Sequence, residues 1–338
     1  MSDQIETGIE GRLGVIALNR PEAINALNLP MIEAIAGTLT LWEADERVRA
    51  VLFEGRGARG FCSGGDVRSA REAVLRGDKP LADRFFATEY AMNRQIATYS
   101  KPVIAIADGI VMGGGLGIAG HAQFRFTTPN ARFAMPEAAI GFICDVGVNA
   151  ILRKAPLHRV LLFELSAQAV GAADALALGL TDCAVAPERL GEVRASIVAA
   201  ASAQKIDAAL VGLMEAETIQ AGDRAFCDLA DRLEGELLLD DAAEIVAAIE
   251  QCGEAPDIAK VLASRSPTSQ AAIFASHLAA RRAADVAEIL AIDLRLARLL
   301  SGLPDFAEGV RAVLVDKDHS PRWQASVPEA EIAAAIAG

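Results

Sequence analysis

Two glycine clusters and a small set of carboxylates are the parts of this 338-residue chain best suited to chemistry. The first cluster is Cys62-Ser63-Gly64-Gly65-Asp66 and the second is Met112-Gly113-Gly114-Gly115-Leu116-Gly117. Each follows an apolar, strand-like run and precedes a helix-like one. At such a junction backbone N–H groups lack intrahelical partners and the helix dipole stands behind them. Two ends of that kind aimed at one point make an oxyanion hole, which stabilises a carbonyl oxygen as negative charge builds on it. Either cluster alone reads more simply as a tight turn or bulge, because glycine reaches backbone conformations closed to other residues.

The carboxylates are Glu137, in Met135-Pro136-Glu137, and Asp145, in Cys144-Asp145-Val146-Gly147. The apolar run Ala138 to Ile143 separates them, in a segment with few other charges. An acid among so many apolar residues is a candidate for a desolvated, functional carboxyl. Glu89, between Thr88 and Tyr90 on a helix-like stretch, reads by itself as a surface helix residue.

Other chemistries lack their residues. The five cysteines are odd in number and scattered, with no C-x-x-C, so neither disulfides nor a zinc site is expected. His121, His158, His277 and His319 are equally scattered and read as surface or helix-packing residues; no catalytic metal is expected. Ser63 does not sit in G-x-S-x-G, and no histidine lies near Cys62 in sequence. Gly115-Leu116-Gly117-Ile118-Ala119-Gly120 satisfies G-x-G-x-x-G. A dinucleotide fold needs its strand to run straight into the first glycine, and here Asp108 to Gly114 intervene.

The elements that must position these groups follow from pattern and punctuation. Leu13–Leu18, Val48–Phe53, Pro102–Ala107 and Phe124–Thr127 predict short buried strands. Asn28 caps a helix with Pro30 in its first turn and Met31, Ile35 and Leu39 on one face. A further helix opens at Gly64-Gly65-Asp66. This alternation predicts an α/β fold. Beyond Leu190 the chain turns alanine- and leucine-rich, with few strand signals until Val313. Ser266-Pro267 opens one helix there. Val286–Leu300 forms another, ended by Gly302 and Pro304, whose apolar face needs a cover from the first domain or from another subunit. The expected division is 1–195 for the core and 196–338 for a mainly helical region.

Composition sets the outer limits. Hydrophobic residues make up 52% and charged residues 23%, the range of a globular protein, and the formal charge of −13 opposes nucleic acid and anionic membranes. Asp3, Glu6 and Glu10 interrupt any apolar stretch at the start, so no signal peptide is expected. The uncharged run Gly109–Phe124 is too short to cross a bilayer. The expected setting is the bacterial cytoplasm or a processed mitochondrial matrix protein.

Phe61-Cys62-Ser63-Gly64-Gly65-Asp66, Met112-Gly113-Gly114-Gly115 and Met135-Pro136-Glu137 together resemble the crotonase, or enoyl-CoA hydratase/isomerase, superfamily. Leu18-Asn19-Arg20-Pro21 with Asn25-Ala26-Leu27 matches its N-terminal signature. Within it, Lys101-Pro102, the Phe133–Gly147 stretch, Ser266-Pro267-Thr268-Ser269 and the run from Asp305 to Trp323 resemble 3-hydroxyisobutyryl-CoA hydrolases. The resemblance implies a crotonase-like spiral of ββα units with a helical C-terminal region. It implies an acyl-CoA thioesterase acting in valine catabolism on a β-hydroxyacyl-CoA, most specifically 3-hydroxyisobutyryl-CoA. By motif, Gly65 and Gly114 become the oxyanion-hole donors, Glu137 and Asp145 the catalytic acids, and Glu89 a further substrate contact. No cofactor is implied beyond the CoA of the substrate, and a homo-oligomer is compatible with it. Hydratases carry a second glutamate where this chain has Gly117. Ile143-Cys144-Asp145-Val146-Gly147-Val148 departs from the family's Phe-Pro-Asp-Val-Gly-Gly, next to the acyl pocket. Enoyl- or dienoyl-CoA hydratase/isomerase activity is the alternative, and a non-catalytic acyl-CoA-binding protein the alternative of another class.

Overall fold

In the computed structural model of the chain, residues 3–324 and 327–338 are described. They form two compact units that interleave along the sequence. One runs to Gly65 and adds Ala91–Phe133 and Val170–Arg224; the other takes Asp66–Tyr90, Ala134–Ala169 and Ala225–Gly338.

The first unit is built on strands. β1 (Ile5–Glu10), β2 (Leu13–Leu18), β3 (Ala50–Gly55), β5 (Val103–Ile106), β7 (Phe124–Thr127) and β9 (Cys183–Ala184) form one sheet in that order. Only the β1–β2 pair is antiparallel. β4 (Gly60–Cys62), β6 (Ile110–Met112) and β8 (Arg132–Ala134) form a second sheet. From β3 to β9, successive strands therefore alternate between the sheets. β3 passes to β4, then to α2 (Val67–Leu75) and α3 (Lys79–Ala97); β5 passes to β6, then to α4 (Gly114–Ala119). This is the repeated ββα course that the family resemblance implied. The inner strands read as apolar runs because both faces are covered. On one face, the alternate residues Leu13, Val15, Leu52, Ile104, Ile106, Phe124 and Phe126 meet Val193 and Ile197 of the helix Leu190–Ala200 and Leu210 of the helix Ile206–Glu217.

Predicted caps recur. Asn28 accepts from Met31 N at the start of α1 (Leu29–Glu43), and Ser266 accepts from Ser269 N at the start of the helix Pro267–Ala280. After β9 no further strand occurs among the described residues, and Val313 lies in a wide π-helical turn, Arg311–Val315. The apolar face of the helix Val286–Ser301 is buried within the chain: Ile289, Leu290, Leu296 and Leu300 are covered. Its neighbours are the helices Pro267–Ala280, Pro304–Val310 and Glu329–Ala337 of the same unit. Other C-terminal helices supply much of the cover, and the short helix Val148–Leu152, which falls within residues 1–195, supplies part of it.

Candidate active site

The two glycine clusters meet at the ends of paired strands. β4 and β6 run parallel, so their C-terminal ends emerge side by side. Beyond β6, Gly113 takes φ 46° and ψ −121°, a conformation open to glycine, and Gly114 begins α4. Its N–H belongs to the first turn, where helix geometry supplies no acceptor. Beyond β4, a Cβ built on Gly64 would stand 3.7 Å from the Gly114 nitrogen, so the turn carrying Gly65 passes the mouth of α4. Gly115 must lack a side chain, since its Cβ would lie 2.6 Å from the Cys62 carbonyl oxygen. The N-terminal signature holds this turn from behind. Leu27 N donates to Gly64 O at 2.8 Å, and Ser63 N to Ile24 O at 2.9 Å. Buried Asn25 donates from Nδ2 to Phe61 O at 2.9 Å and accepts from Arg20 N at 2.8 Å. The G-x-G-x-x-G lies mostly inside α4, so it forms no phosphate loop. Cys62 is buried with its thiol 3.1 Å from Asn25 O, a packed structural cysteine.

The acids gather in the second unit. Glu137 sits in a short 3-10 turn, Pro136–Ile140, and is 6% exposed; Asp145 is 6% exposed and Glu89 2%. Glu89 is therefore no surface residue. The Tyr90 hydroxyl donates to Asp145 Oδ2 at 2.5 Å. Glu89 Oε1 and Glu137 Oε2 are buried with no hydrogen-bond partner among the described residues. Buried acceptors are nearly always satisfied, so these oxygens are places where a ligand donor fits.

Burial pushes all three carboxyls up. Asp145 rises from its ordinary 3.8 to about 7, burial outweighing the Tyr90 hydroxyl and a backbone N–H that favour its anion. Glu137 is driven well above the usual range, by burial first and the Asp145 charge second. Glu89 follows for the same two reasons. The Tyr90 hydroxyl stabilises the Asp145 anion, and a backbone N–H does the same for Glu137, but burial outweighs both. Such a pair is poised for acid–base work near neutral pH. Burial and neighbouring carboxylates push the Cys144 thiol up, which removes it as a nucleophile.

The C-terminal helices hold the acid-bearing turns. A Cβ on Gly309 would lie 2.4 Å from the Ile140 carbonyl carbon, so the helix Pro304–Val310 packs backbone to backbone on the Glu137 turn. Ser266 N donates to Ala138 O, and Ser266 Oγ to Asp305 Oδ2 at 2.9 Å. Gly147 N donates to Asp293 Oδ2 at 2.8 Å, and Asn149 Oδ1 lies 2.7 Å from His277 Nδ1.

Tyr90, Asp293 and His277 were not singled out by sequence reasoning. Asp293 had a signal: it falls in step with Ile289, Leu296 and Leu300 on the apolar face of its helix. Tyr90 had none, because its partner is 55 positions away. A cavity of about 330 Å³ in the first unit is lined by Arg56, Gly60, Asp108, Gly109, Leu190 and Arg194, among others. It lies at the N-terminal ends of β4 and β6, the wrong ends for the glycine turns.

Comparison with known proteins follows the same lines. The family model described as enoyl-CoA hydratase/isomerase matches residues 13–336. Over 325 residues the chain is 37% identical to the mitochondrial 3-hydroxyisobutyryl-CoA hydrolase of Xenopus tropicalis, covering 94% of this chain and 84% of the relative. The human protein of that name is 34% identical, with 93% and 82% covered. A solved carnitinyl-CoA dehydratase from Mycobacterium thermoresistibile superposes with a TM-score of 0.90 at 33% identity, over 100% of this chain and 97% of that one. An enoyl-CoA hydratase from Rhodobacter sphaeroides gives 0.87 at 30% identity, over 99% and 97%.

Proposed function

The chain belongs to the enoyl-CoA hydratase/isomerase family, and from that premise we propose that it hydrolyses a β-hydroxyacyl-CoA thioester, 3-hydroxyisobutyryl-CoA in the first instance, in valine breakdown. The observation that carries this reading is where carboxyls stand and where one is missing. Glu137 and Asp145 are buried together, whereas Gly117, inside α4, has no side chain where a hydratase needs its second acid. Addition of water across a double bond asks for paired acid and base groups on the alkene; hydrolysis asks for attack at the carbonyl carbon and an oxyanion hole.

In this reading the Gly65 and Gly114 N–H groups hold the thioester oxygen. Glu137 acts on the carbonyl carbon, either directly, giving a mixed anhydride, or through a water that it deprotonates. Asp145, with Glu89, receives the 3-hydroxyl, and the raised acidity range of this cluster suits a neutral donor such as a hydroxyl. CoA leaves as the thiol. No other cofactor takes part. The setting that fits is the bacterial cytoplasm or, as the second choice, the mitochondrial matrix; the names of the curated relatives say mitochondrial. The expected work is done in water, and no described helix is long and apolar enough to cross a membrane.

The names of the two solved relatives favour a second reading, hydration or dehydration of an acyl-CoA. One experiment separates the readings: a panel of CoA thioesters followed chromatographically for free CoA and for hydrated product. Fast CoA release from 3-hydroxyisobutyryl-CoA, slower release from 3-hydroxypropionyl-CoA and very slow release from isobutyryl-CoA is the expected result. Rapid crotonyl-CoA hydration with no CoA release from either hydroxyacyl substrate would replace hydrolysis by the second reading; binding without turnover of any thioester would leave an acyl-CoA-binding protein.

A further inference from the structure

Asp293 is a buried acid that the reaction does not use. It lies on the helix Val286–Ser301 at 0% exposure, on a face otherwise given to Ile289, Leu296 and Leu300. One oxygen, Oδ2, accepts from Gly147 N at 2.8 Å; the other, Oδ1, has no hydrogen-bond partner among the described residues. A carboxyl on an apolar helix face is costly to bury, so its single bond is a clue to its purpose.

The bond lands on an unusual turn. Val146 has φ 55° and Gly147 φ 71°, two successive left-handed residues immediately after Asp145. For glycine this is ordinary, but for a β-branched residue it is a strained conformation that persists only where the surroundings impose it. The turn sets the direction of the Asp145 side chain, which ends 2.5 Å from the Tyr90 hydroxyl. On the other side of the turn Asn149 is tied to His277. Glu164 Oε2 lies 3.3 Å from the same His277 nitrogen without making a hydrogen bond. Asp293 reaches into the turn itself, at the residue that follows the strained one.

We propose that Asp293 is a positioning residue for the hydroxyl-recognising acid: its carboxyl clamps the Gly147 N–H, holds Val146 left-handed, and so keeps Asp145 aimed at Tyr90 and at the 3-hydroxyl of the acyl group. The proposal rests on the hydrolase reading in one respect, that Asp145 contacts the substrate hydroxyl. It concerns specificity more than rate, because the thioester oxygen and the attacking group are held elsewhere.

The test compares kcat/KM on 3-hydroxyisobutyryl-CoA and isobutyryl-CoA in a short variant series. Asp145→Asn comes first: collapse of the ratio between the two substrates upholds the assignment of Asp145, and an unchanged ratio sinks the functional reading of that residue. Asp293→Ala is then expected to lower kcat/KM for the hydroxylated substrate about tenfold to a hundredfold, the loss of one buried hydrogen bond, while hardly moving the other. Asp293→Asn, whose amide oxygen still accepts from Gly147 N, should restore most of the ratio. Val146→Gly in the Asp293→Ala background should also recover it in part, because glycine adopts the turn without a clamp. Loss of stability alone would reduce activity on both substrates together. Should Asp293→Ala not fold, Val146→Gly is compared with Val146→Gly/Asp293→Ala, where glycine needs no clamp: an unchanged ratio between the two substrates supports the proposal, and a collapsed ratio overturns it. A collapse of selectivity in Asp145→Asn with none in any Asp293 variant overturns the proposal and leaves the hydrolase reading standing.

Discussion

The glycine turns and the acid cluster handle charge in opposite ways. At Gly65 and Gly114 the polarity comes from backbone N–H groups, which carry no net charge and do not titrate. Their positions follow from strand pairing and from close packing such as Gly115 against Cys62. At Glu89, Glu137 and Asp145 the polarity comes from side chains in an apolar setting, and burial moves every one of their pKa values upward. The first kind of site is ready at any pH and is limited by geometry. The second holds its protons to a higher pH than ordinary carboxyls do and costs stability to maintain. Joined in one reaction, the two would give a hydrolase whose transition-state support is fixed and whose reactive group is switchable.

The largest expected effect falls on the acid side. Glu137→Gln, which can neither attack nor accept a proton, should keep thioester binding and lower kcat by about 10³-fold or more, read in single-turnover assays. Hydroxylamine present during turnover traps an acyl-enzyme only if Glu137 forms an anhydride. An active Glu137→Gln enzyme would strip the cluster of its reactive member.

Asp145 tests the stability cost. A carboxyl with a raised folded pKa binds its proton more tightly folded than unfolded. Its contribution favours folding below its ordinary value and is lost as pH rises through about 7. A rise from 3.8 to about 7 corresponds to about 4 kcal/mol lost across that window, taken as an upper bound. Asp145→Asn should therefore flatten the pH dependence of urea stability and be the more stable form at pH 8. The same substitution should erase the preference for hydroxylated substrates, which a matched polar site can raise to roughly 10⁴–10⁵. Equal pH slopes for both proteins would mean that Asp145 is solvated.

Gly114→Pro sharpens the contrast from the other side. Gly114 is the first residue of α4, where proline is well accepted, so the change removes the N–H more than it disturbs the helix. We expect kcat to fall about 10²–10³-fold, by the same factor at every pH. Wild-type kcat/KM should rise with pH above the ordinary carboxylate range as the acid cluster ionises, and a Gly114→Pro profile shifted along the pH axis would contradict the separation of roles.

The smallest effect belongs to the surface. Asp231 is held low by the Arg159 guanidinium, with His158 also in contact, and Glu308 falls to about 2 beside Arg311. These acids show the opposite shift because water remains and a cation is adjacent. Asp231→Asn should cost less than about 1 kcal/mol, fading with added salt.

Much of this arrangement was legible in the sequence. β2 and β7 begin and end where their apolar runs do, and Asn28, Ser266 and Pro267 mark helix starts, because strand alternation and capping are local physics. Glycine spacing at 62–66 and 112–117 singled out both turns for the same reason: only glycine meets the local backbone demand. The burial of Glu89 was not legible, since one glutamate on one helix turn looks alike in water and in a core. Neither was the interleaving of the two units, because a texture change near residue 195 reports which elements follow, not which elements pack together. Sequence by itself determined the elements, the turns and the candidate acids. Tertiary structure alone decided that Tyr90 would hold Asp145 and that Asp293 would hold Gly147, partners 55 and 146 positions apart. Burial and hydrogen-bond partnership are properties of what folds against a residue, and neighbours in the chain do not specify that.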